Sequence, residues 1–293
     1  MVDFLLGPWQ WGDWMWRGMF TVNLIAIACA VLGVFLYLRR MSLLADALAH
    51  VALPGIVAAF LISGSLSGGV MLLGAVAVGL LASLSIEGLS KRPGIRSDAA
   101  IGIVFTSFFA LGVILLSTVV RDAHIDTHCL IFGDVLGVSD RAIGLVSLVV
   151  PVVLLLVGVF YRWLSLSSFD PRFAASLGIP VTIVSYGLMT AVTVTTVAGF
   201  EAVGAILVIA LIIVPAATAH LLADRLSVMI FLSVLHGILS SWFGMYLAIW
   251  LDTSVAGAIV VIGGGLYVLA FLFAPRHGRL IRLFSRRRAP QMV

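Results

Sequence analysis

Long apolar runs recur along this chain and limit the folds that it can adopt. A helix needs about 20 consecutive apolar residues to cross the roughly 30 Å hydrocarbon core of a bilayer. Hydrocarbon offers no hydrogen-bond partners, so such runs span as helices that bond their own backbone groups. The sequence predicts an all-α polytopic membrane helix bundle of about nine spans. The range is roughly eight to ten, because the ends of the runs are defined only to within several residues and the two runs meeting at Gly199 could form one kinked helix. The predicted spans are 18–38, 42–62, 70–88, 99–120, 140–162, 181–198, 200–221, 226–250 and 255–274.

Composition excludes an ordinary soluble domain. Hydrophobic residues make up 62% of the 293 positions and charged residues only 10%, whereas a soluble domain carries about 25% charged residues. No cationic segment precedes the first apolar run, so no cleavable signal peptide is expected. Cys29 falls within a span and Cys129 in a loop, so neither a disulfide nor a C-x-x-C site is expected.

Basic residues predict the orientation of the spans. With the N-terminus outside, only Arg17, Arg121 and Arg141 of the 17 basic residues face outward, in agreement with the positive-inside rule. An odd number of spans then places the C-terminus in the cytoplasm. We expect one transmembrane permease domain over 1–275, followed by a basic cytoplasmic tail over 276–293. The tail is expected to contact anionic membrane lipids rather than nucleic acid.

An acidic and an imidazole side chain share the second span. Asp46 and His50 are four residues apart, which places them on one face of a helix about 5–6 Å apart. An uncompensated charge at the bilayer centre costs roughly 2.5–3.5 kcal/mol, so such residues usually mark an ion pathway. Carboxylate and imidazole accept Mn, Fe and Zn, and the mixture favours Mn or Fe over thiolate-seeking ions. The alternative is structural: a protonated or arginine-paired Asp46, with His50 packing between helices.

The depth of this pair and a nearby helix break follow from the sequence. A helix that begins near Arg40 would place Asp46 about 9 Å and His50 about 15 Å along its axis, near the midplane. Pro54 has no N–H to bond the carbonyl of His50, and Gly55 permits further unwinding. Transporters place their sites at such broken helices, so a break at Pro54 and Gly55 is predicted.

Other polar residues are further candidates for the ion pathway. Three of them alternate in the longest external loop, 121–139, where solvation is the simpler explanation. One lies near the outer end of a span, and one lies within a span, where packing between helices is the simpler explanation. These candidates are His124, Asp126, His128, Glu201 and His236.

The cytoplasmic segment 165–180 is predicted to carry a short helix over Phe169–Leu177. Asp170 is placed to cap it and Pro171 to occupy its first position, and Gly178 to end it. A short helix with small exposed residues between two spans suits docking against a partner. An ordinary capped linker would have the same sequence features. The residues expected to couple to that partner are Phe169, Asp170, Ala174, Ala175 and Gly178.

The chain is not expected to hydrolyse ATP through a P-loop. A P-loop requires Gly-Lys-Ser/Thr, and the single lysine, Lys91, lies between Ser90 and Arg92. The sequence contains neither H-E-x-x-H nor G-x-S-x-G, so we do not expect an enzyme. Transport would be driven by a separate subunit or by an ion gradient.

Six blocks of sequence occur in the order found in one family of membrane proteins. They are R-R-M-S-L-L-A-D-A-L-A-H-V-A-L-P-G (39–55), D-A-A-I-G-I-V-F-T (98–106), L-I-F-G-D-V-L-G-V-S (130–139), F-D-P-R-F-A-A-S-L-G-I (169–179), A-V-G-A-I-L-V-I-A-L-I-I-V-P-A-A-T-A (202–219) and F-A-P-R-H-G (273–278). Over nearly its whole length the chain resembles the integral membrane subunits of bacterial manganese/iron/zinc ABC importers, the ABC-3 type. It departs from them at Ala45, where relatives usually carry Gly, and at Ala49, where Ser is common.

The resemblance implies a fold, a site and partners. It implies the transmembrane domain of a type II ABC importer in the bacterial cytoplasmic membrane. Asp46 and His50 would contact the transported Mn, Fe or Zn ion, with an equivalent pair from a second permease subunit, and no cofactor would be bound permanently. Residues 169–178 would be the coupling helix for two cytoplasmic ATP-binding subunits. An extracytoplasmic metal-binding protein would deliver the ion near 121–139.

Two other functions remain open at this stage. The first is a proton- or sodium-coupled secondary metal carrier that uses Asp46 as its proton site, with uptake that survives loss of the ATPase. The second is an ABC permease for a metal chelate, which would need a wide polar cavity that these apolar spans hardly line. A membrane enzyme is less well supported than either, because no pair of nucleophile and base is visible.

Overall fold

The computed structural model of this protein describes residues 12–63, 68–119 and 135–274. Within these ranges the chain is helical and contains no strand. Nine of the described helices are long and apolar enough to cross a membrane, and they coincide with the nine predicted spans. The helices are α1 Asp13–Leu38, α2 Leu44–Ser63, α3 Gly68–Ser90, α4 Ser97–Val119, α5 Asp140–Val159, α6 Tyr161–Phe169, α7 Pro171–Ser176, α8 Val181–Val203, α9 Ala205–Leu222, α10 Leu226–Leu251 and α11 Val255–Phe273.

The sixth and seventh spans are separate helices that meet at Gly204. This residue has φ +86° and ψ 158°, a conformation that glycine adopts without the steric penalty of a side chain. The idea of one helix kinked at Gly199 is therefore wrong. Gly199 lies inside α8, where a β-carbon would come within 2.7 Å of Val208 on α9, so its smallness lets α8 and α9 pack closely.

The fifth span ends earlier than predicted and is followed by a helix that the sequence did not reveal. α5 ends at Val159, Phe160 turns the chain with φ −93° and ψ 12°, and α6 follows at once. Ser167 and Ser168 had the composition of a loop, because serine commonly bonds backbone groups outside helices. Here both hydroxyls instead donate to the Leu164 carbonyl within α6, at 3.2 and 2.7 Å.

The first helix lies at the centre of the bundle. α1 packs against α5, α6, α8, α9 and α10, and 78% of its most apolar window is buried. Small residues allow the close approach, since a β-carbon on Gly33 would collide with the Ile212 carbonyl on α9. On another side, Ser233 of α10 donates a hydrogen bond to the Ala30 carbonyl at 3.1 Å.

The helix that carries the candidate site packs mainly against its two successors. α2 contacts α3 and α4 extensively, and it reaches the rest of the bundle through α8 and α9. A β-carbon on Gly55 would collide with the Gly74 carbonyl and lie 2.8 Å from the Ala75 α-carbon, both on α3. These contacts fix the rotation of α2 and therefore the direction in which its polar face points.

Candidate metal site

A tight turn places the start of the helix that carries the predicted site. Arg40 has φ +59°, and its N–H bonds the Tyr37 carbonyl at 3.0 Å while the Met41 N–H bonds the Leu36 carbonyl at 2.9 Å. These two bonds make the Schellman ending of a helix, with arginine where glycine is most common. The chain reverses after the turn, and α2 begins at Leu44.

Asp46 and His50 lie on one face of α2, as their spacing predicted. The His50 Nε2 is 3.8 Å from the Asp46 Oδ1, and the two side chains are 48% and 47% exposed. Asp46 falls in the first turn of the helix, where the helix dipole stabilises a negative charge. The pair is therefore a preformed carboxylate–imidazole face that is open on the surface of a single chain.

The pair lies closer to the start of its helix than the sequence suggested. Because α2 begins at Leu44 rather than near Arg40, Asp46 is about 3 Å and His50 about 9 Å along an axis of about 30 Å. The predicted helix start near Arg40, on which the estimate of about 15 Å for His50 rested, is wrong. The left-handed turn at Arg40 delays the helix and leaves the pair near the end of the bundle from which α2 starts.

Aromatic side chains border the open face of the pair. The rings of Phe105 and Phe109 on α4 lie 5.4 and 5.5 Å from the imidazole of His50, measured between centroids. Within the part of the chain that the structure describes, the ion pair of Asp46 is with His50 and with no arginine. The alternative in which an arginine pairs with Asp46 therefore finds no support among the described residues, and the carboxylate is accessible to a cation.

The helix is not interrupted beside the pair. Pro54 lies inside α2, which continues to Ser63, so the predicted break at Pro54 and Gly55 is wrong. Neighbouring helices hold the backbone in place, since a β-carbon on Gly112 of α4 would lie 2.8 Å from the Pro54 ring. Transmembrane helices tolerate proline where adjacent helices support them in this way.

The part of the chain that the structure describes brings two His or Asp side chains together at this position. Over residues 12–63, 68–119 and 135–274, no group of three or more His, Cys, Asp or Glu side chains is arranged to hold a metal ion. Transition metals usually take four or more ligands. Among the described residues the Asp46–His50 face therefore lacks the further ligands that a complete coordination shell requires.

The predicted cytoplasmic segment contains a capped helix at the expected place. Asp170 accepts hydrogen bonds from the Arg172 and Phe173 N–H groups at 3.0 and 2.9 Å, and Pro171 opens α7. The helix is shorter than the predicted Phe169–Leu177, because Phe169 still belongs to α6. Gly178 follows with φ +79°, which is the helix-ending geometry that its sequence position suggested.

Comparison with known families identifies the class of protein. Residues 12–274 match the profile of the ABC 3 transport family, and this range covers all of the helices described above. The chain belongs to the ABC 3 transport family. The family membership agrees with the resemblance in the six sequence blocks, which lie within or at the edge of the matched range.

Individual relatives of this ABC 3 family member cover most of its length. The manganese transport system membrane protein MntD of Bacillus subtilis is 43% identical over 270 residues, which are 88% of this chain and 91% of MntD. The zinc transport system membrane protein TroD of Treponema pallidum is 42% identical over 265 residues, 87% of this chain and 72% of TroD. Among solved structures, PsaBC from Streptococcus pneumoniae in complex with Fab gives a TM-score of 0.80 at 32% identity, covering 98% of this chain and 99% of that one.

Of the further pathway candidates in this ABC 3 family chain, the structure describes Glu201 and His236, and neither joins the Asp46–His50 pair. His124, Asp126 and His128 lie outside the described residues, as does the basic tail. Glu201 is exposed near the end of α8, where Arg141 of α5 acts on it electrostatically. The described parts of the chain bring neither Glu201 nor His236 into a metal-binding group.

His236 is buried between helices. It lies on α10 with 6% exposure, and its Nδ1 is 3.3 Å from the Ser240 hydroxyl of the same helix. A β-carbon on Gly263 of α11 would lie 3.7 Å from the imidazole. These contacts agree with the packing interpretation of this histidine.

The segment around α7 exposes large apolar side chains as well as one of its two alanines. Ala174 is fully buried, so the expectation that it is exposed is wrong, whereas Ala175 is exposed. Phe169, Phe173 and Leu177 are 58%, 52% and 57% exposed. Their spacing of four residues was visible in the sequence, but Phe173 and Leu177 were not singled out. Exposed apolar residues outside the spans indicate a protein partner.

Proposed function

We propose that this chain is the membrane permease subunit of an ATP-driven importer of a divalent transition-metal ion, manganese first, with iron and zinc as alternatives. The observation that carries the proposal is the carboxylate–imidazole face of Asp46 and His50, half exposed and without an arginine partner in the described chain. Membership of a transport family supplies the class of protein. The residue types supply the class of cargo, because oxygen and imidazole nitrogen together suit these metals.

A second permease subunit completes the site in this proposal. Each chain offers two donors on an open face, and two facing chains would offer two carboxylates and two imidazoles. A charged residue inside the bilayer is costly when lipid surrounds it, so covering this face with a second subunit removes an unfavourable contact. The partner is either a second copy of this chain or a related permease.

The energy would come from two cytoplasmic ATP-binding subunits. We define residues 161–178, which comprise α6, α7 and the turn after them, as the coupling segment. Its exposed Phe169, Phe173 and Leu177 would dock on those subunits. ATP binding would move the coupling segments, rock the two permeases, and open the metal face to each side in turn. As the halves separate, each ion would lose ligands and leave toward the cytoplasm.

The proposal also includes a direction and a source of the ion. The N-terminus would lie outside and the coupling segment inside, as the distribution of basic residues predicted. An extracytoplasmic metal-binding protein would deliver the ion to the outer face of a multi-pass protein of the bacterial cytoplasmic membrane. The domain division stays as predicted, with a permease domain over 1–275 and a basic tail over 276–293.

The identity of the transported metal is the most specific part of the proposal. MntD is named for manganese and TroD for zinc at nearly equal identity to this chain, so relatives support both. Competition decides between them: uptake of radiolabelled manganese by the assembled complex is measured with unlabelled manganese, iron or zinc in excess. We expect manganese to compete best. Stronger competition by zinc would assign zinc as the cargo.

The sharpest test replaces the two candidate ligands. Asp46→Ala and His50→Ala, made in the assembled complex, should each abolish radiolabelled metal uptake while the complex remains intact. Asp252→Asn is the matched control, because it also removes one carboxylate. Asp252 has a left-handed backbone conformation with φ 49°, which asparagine also tolerates. Uptake at the wild-type rate in Asp46→Ala and His50→Ala would refute the site.

The same assay separates the alternatives. A secondary carrier would continue to take up metal after the catalytic glutamate or lysine of the ATP-binding partner is replaced, and would stop when the ion gradient is collapsed. We expect the opposite pattern. A chelate permease would accept the metal only with its chelator, whereas we expect the free ion delivered by the binding protein to suffice.

A further inference from the structure

One arginine side chain joins three helices at the end of the bundle that carries the coupling segment. Arg39 caps the C-terminal end of α1. Its Nη2 donates to the Ser167 hydroxyl at 2.8 Å, its Nε to the Ser168 hydroxyl at 3.1 Å, and its Nη1 to the Ser185 hydroxyl at 2.8 Å. The guanidinium fork thus uses all three of its nitrogens, a geometry that lysine cannot reproduce.

The three serines that accept these hydrogen bonds lie on two different helices. Ser167 and Ser168 lie in the last turn of α6, three and two residues before Asp170, which caps α7, and Ser185 lies in the first turns of α8. Arg39 itself opens the turn that leads into α2 five residues later. One side chain therefore links the middle of the coupling segment and the first turns of α8 to the turn that leads into the helix with Asp46.

The serine hydroxyls are themselves held in place. Ser167 and Ser168 both donate their own hydrogens to the Leu164 carbonyl, so their lone pairs are left to accept from Arg39. Ser167 and Ser185 are buried. A hydroxyl that is fixed by its own donor bond offers a defined acceptor position, and this makes the contact stiff rather than adaptable.

The charge of Arg39 is only partly compensated. Burial lowers the pKa of its guanidinium below the ordinary value, and the Glu87 carboxylate acts in the opposite direction. Glu87 forms its own ion pair with Lys91 at 3.0 Å, and the Lys91 ammonium lies 4.7 Å from the centre of the Tyr186 ring on α8. A desolvated cation that depends on three neutral hydroxyls loses much of its stabilisation if they move away, so it follows them.

We propose that Arg39 is a positioning residue that transmits the movement of the coupling segment to the start of α2 and so to Asp46 and His50. This inference rests on the proposed function. When the ATP-binding subunits shift α6 and α7, the three hydrogen bonds carry Arg39 with them, and the adjoining turn moves the first turn of α2. Asp46 lies in that first turn, so its distance from the facing permease changes with the state of the ATPase.

The test compares neighbouring arginines in the assembled complex with its ATP-binding and metal-binding partners. Arg39→Gln removes the charge and the fork, and Arg40→Gln removes the same charge from an exposed residue beside it. For Arg39→Gln we expect assembly, bound manganese and basal ATP hydrolysis as in the wild type. The number of manganese ions imported per ATP should fall by about tenfold, within the roughly 5–150-fold range typical of coupling between sites. Arg40→Gln should leave this ratio unchanged.

Two further variants test whether the hydrogen bonds of Arg39 are responsible for the effect. The double variant Ser167→Ala and Ser168→Ala should lower the same ratio with Arg39 intact, and Arg39→Lys should restore part of it, because lysine keeps the charge without the fork. An unchanged ratio in Arg39→Gln would overturn the inference. So would failure of both Arg39→Gln and the double-serine variant to assemble, since Arg39 would then serve the fold alone.

The inference and the proposed function fail in different ways. If Asp46→Ala abolishes uptake while Arg39→Gln imports normally, the metal site stands and the role of Arg39 falls. If the wild-type complex imports no metal, or Asp46→Ala imports it normally, the proposed function itself falls, whatever Arg39→Gln does.

Discussion

At the scale of single residues, a carboxylate near a helix start is easier to keep charged than one in mid-helix. The dipole of a helix stabilises an anion in its first turn by about 0.3–1 kcal/mol, and more where the site is partly buried. Asp46 occupies this position in α2. This position offsets part of the cost of placing a carboxylate in an apolar segment.

Gly178 gives a test of the coupling segment at this scale. Its φ of +79° disfavours any residue with a β-carbon, yet nothing lies within 4 Å of where that atom would be. Gly178→Val should cost at least about 1–2 kcal/mol through backbone strain alone. We expect weaker binding of the ATP-binding subunits and a loss of metal-stimulated hydrolysis, measured on the purified complex.

Gly187 supplies the control for that variant. It lies within α8, and a β-carbon there also has nothing within 4 Å, but its φ is not positive. Gly187→Val should leave stimulated hydrolysis intact. Equal stimulated hydrolysis in Gly178→Val and Gly187→Val would show that the left-handed turn after α7 has no part in coupling.

At the scale of elements, the close contact of α2 with α3 determines the direction in which the face of Asp46 and His50 points. Gly55→Leu would drive a side chain into the backbone of α3 at Gly74 and Ala75, and overpacking of this kind costs about 1–3 kcal/mol. We expect α2 to rotate or shift and metal uptake to fall at least about tenfold at constant protein level. Gly144→Leu on α5, where nothing lies within 4 Å, should import normally, and a similar loss there would point to general damage.

The exposed apolar residues of the coupling segment give a second prediction for an element. Phe173→Ala together with Leu177→Ala should weaken association with the ATP-binding subunits, by roughly 1 kcal/mol or more for each anchor residue. Co-purification and stimulated ATP hydrolysis report the effect. Phe231→Ala is the control, because Phe231 is 66% exposed on the spanning helix α10. Loss of the partner in Phe231→Ala as well would contradict a specific docking role.

Sequence predicted the spans well because their length and apolarity are local properties. The ends of the spans depended on backbone conformations that composition does not reveal. Arginine at φ +59° delayed α2 by several residues, and serines bonded to their own helix made α6 out of an apparent loop. The break between α8 and α9 fell at Gly204 rather than Gly199, because only Gly204 adopts a positive φ.

The candidate site was predictable in part for the same reason. Spacing along a helix places Asp46 beside His50 without any knowledge of the fold. The Phe105 and Phe109 border and the burial of Ala174 depend on which helices become neighbours, and the sequence alone did not supply this. The three bonds of Arg39 reach residues more than 120 positions away, so no local pattern could have shown them.

At the scale of the whole molecule, the half-exposed face of Asp46 and His50 predicts a ratio of bound metal ions to permease chains. If two permeases share one set of ligands, the purified complex should bind about one tightly held manganese ion per two permease chains. Elemental analysis of the complex, together with its mass, measures this ratio. One tightly bound ion for every permease chain would mean that each chain holds its own ion without the other.

The central place of α1 also bears on how the protein is made. This helix leaves the ribosome before the other described helices, yet two of its main neighbours, α9 and α10, belong to the last third of the chain. During synthesis α1 must wait beside lipid or an insertion factor until those helices arrive. A chain truncated before α9 would leave α1 without these packing partners, so membrane proteases should remove such fragments faster than the full-length protein.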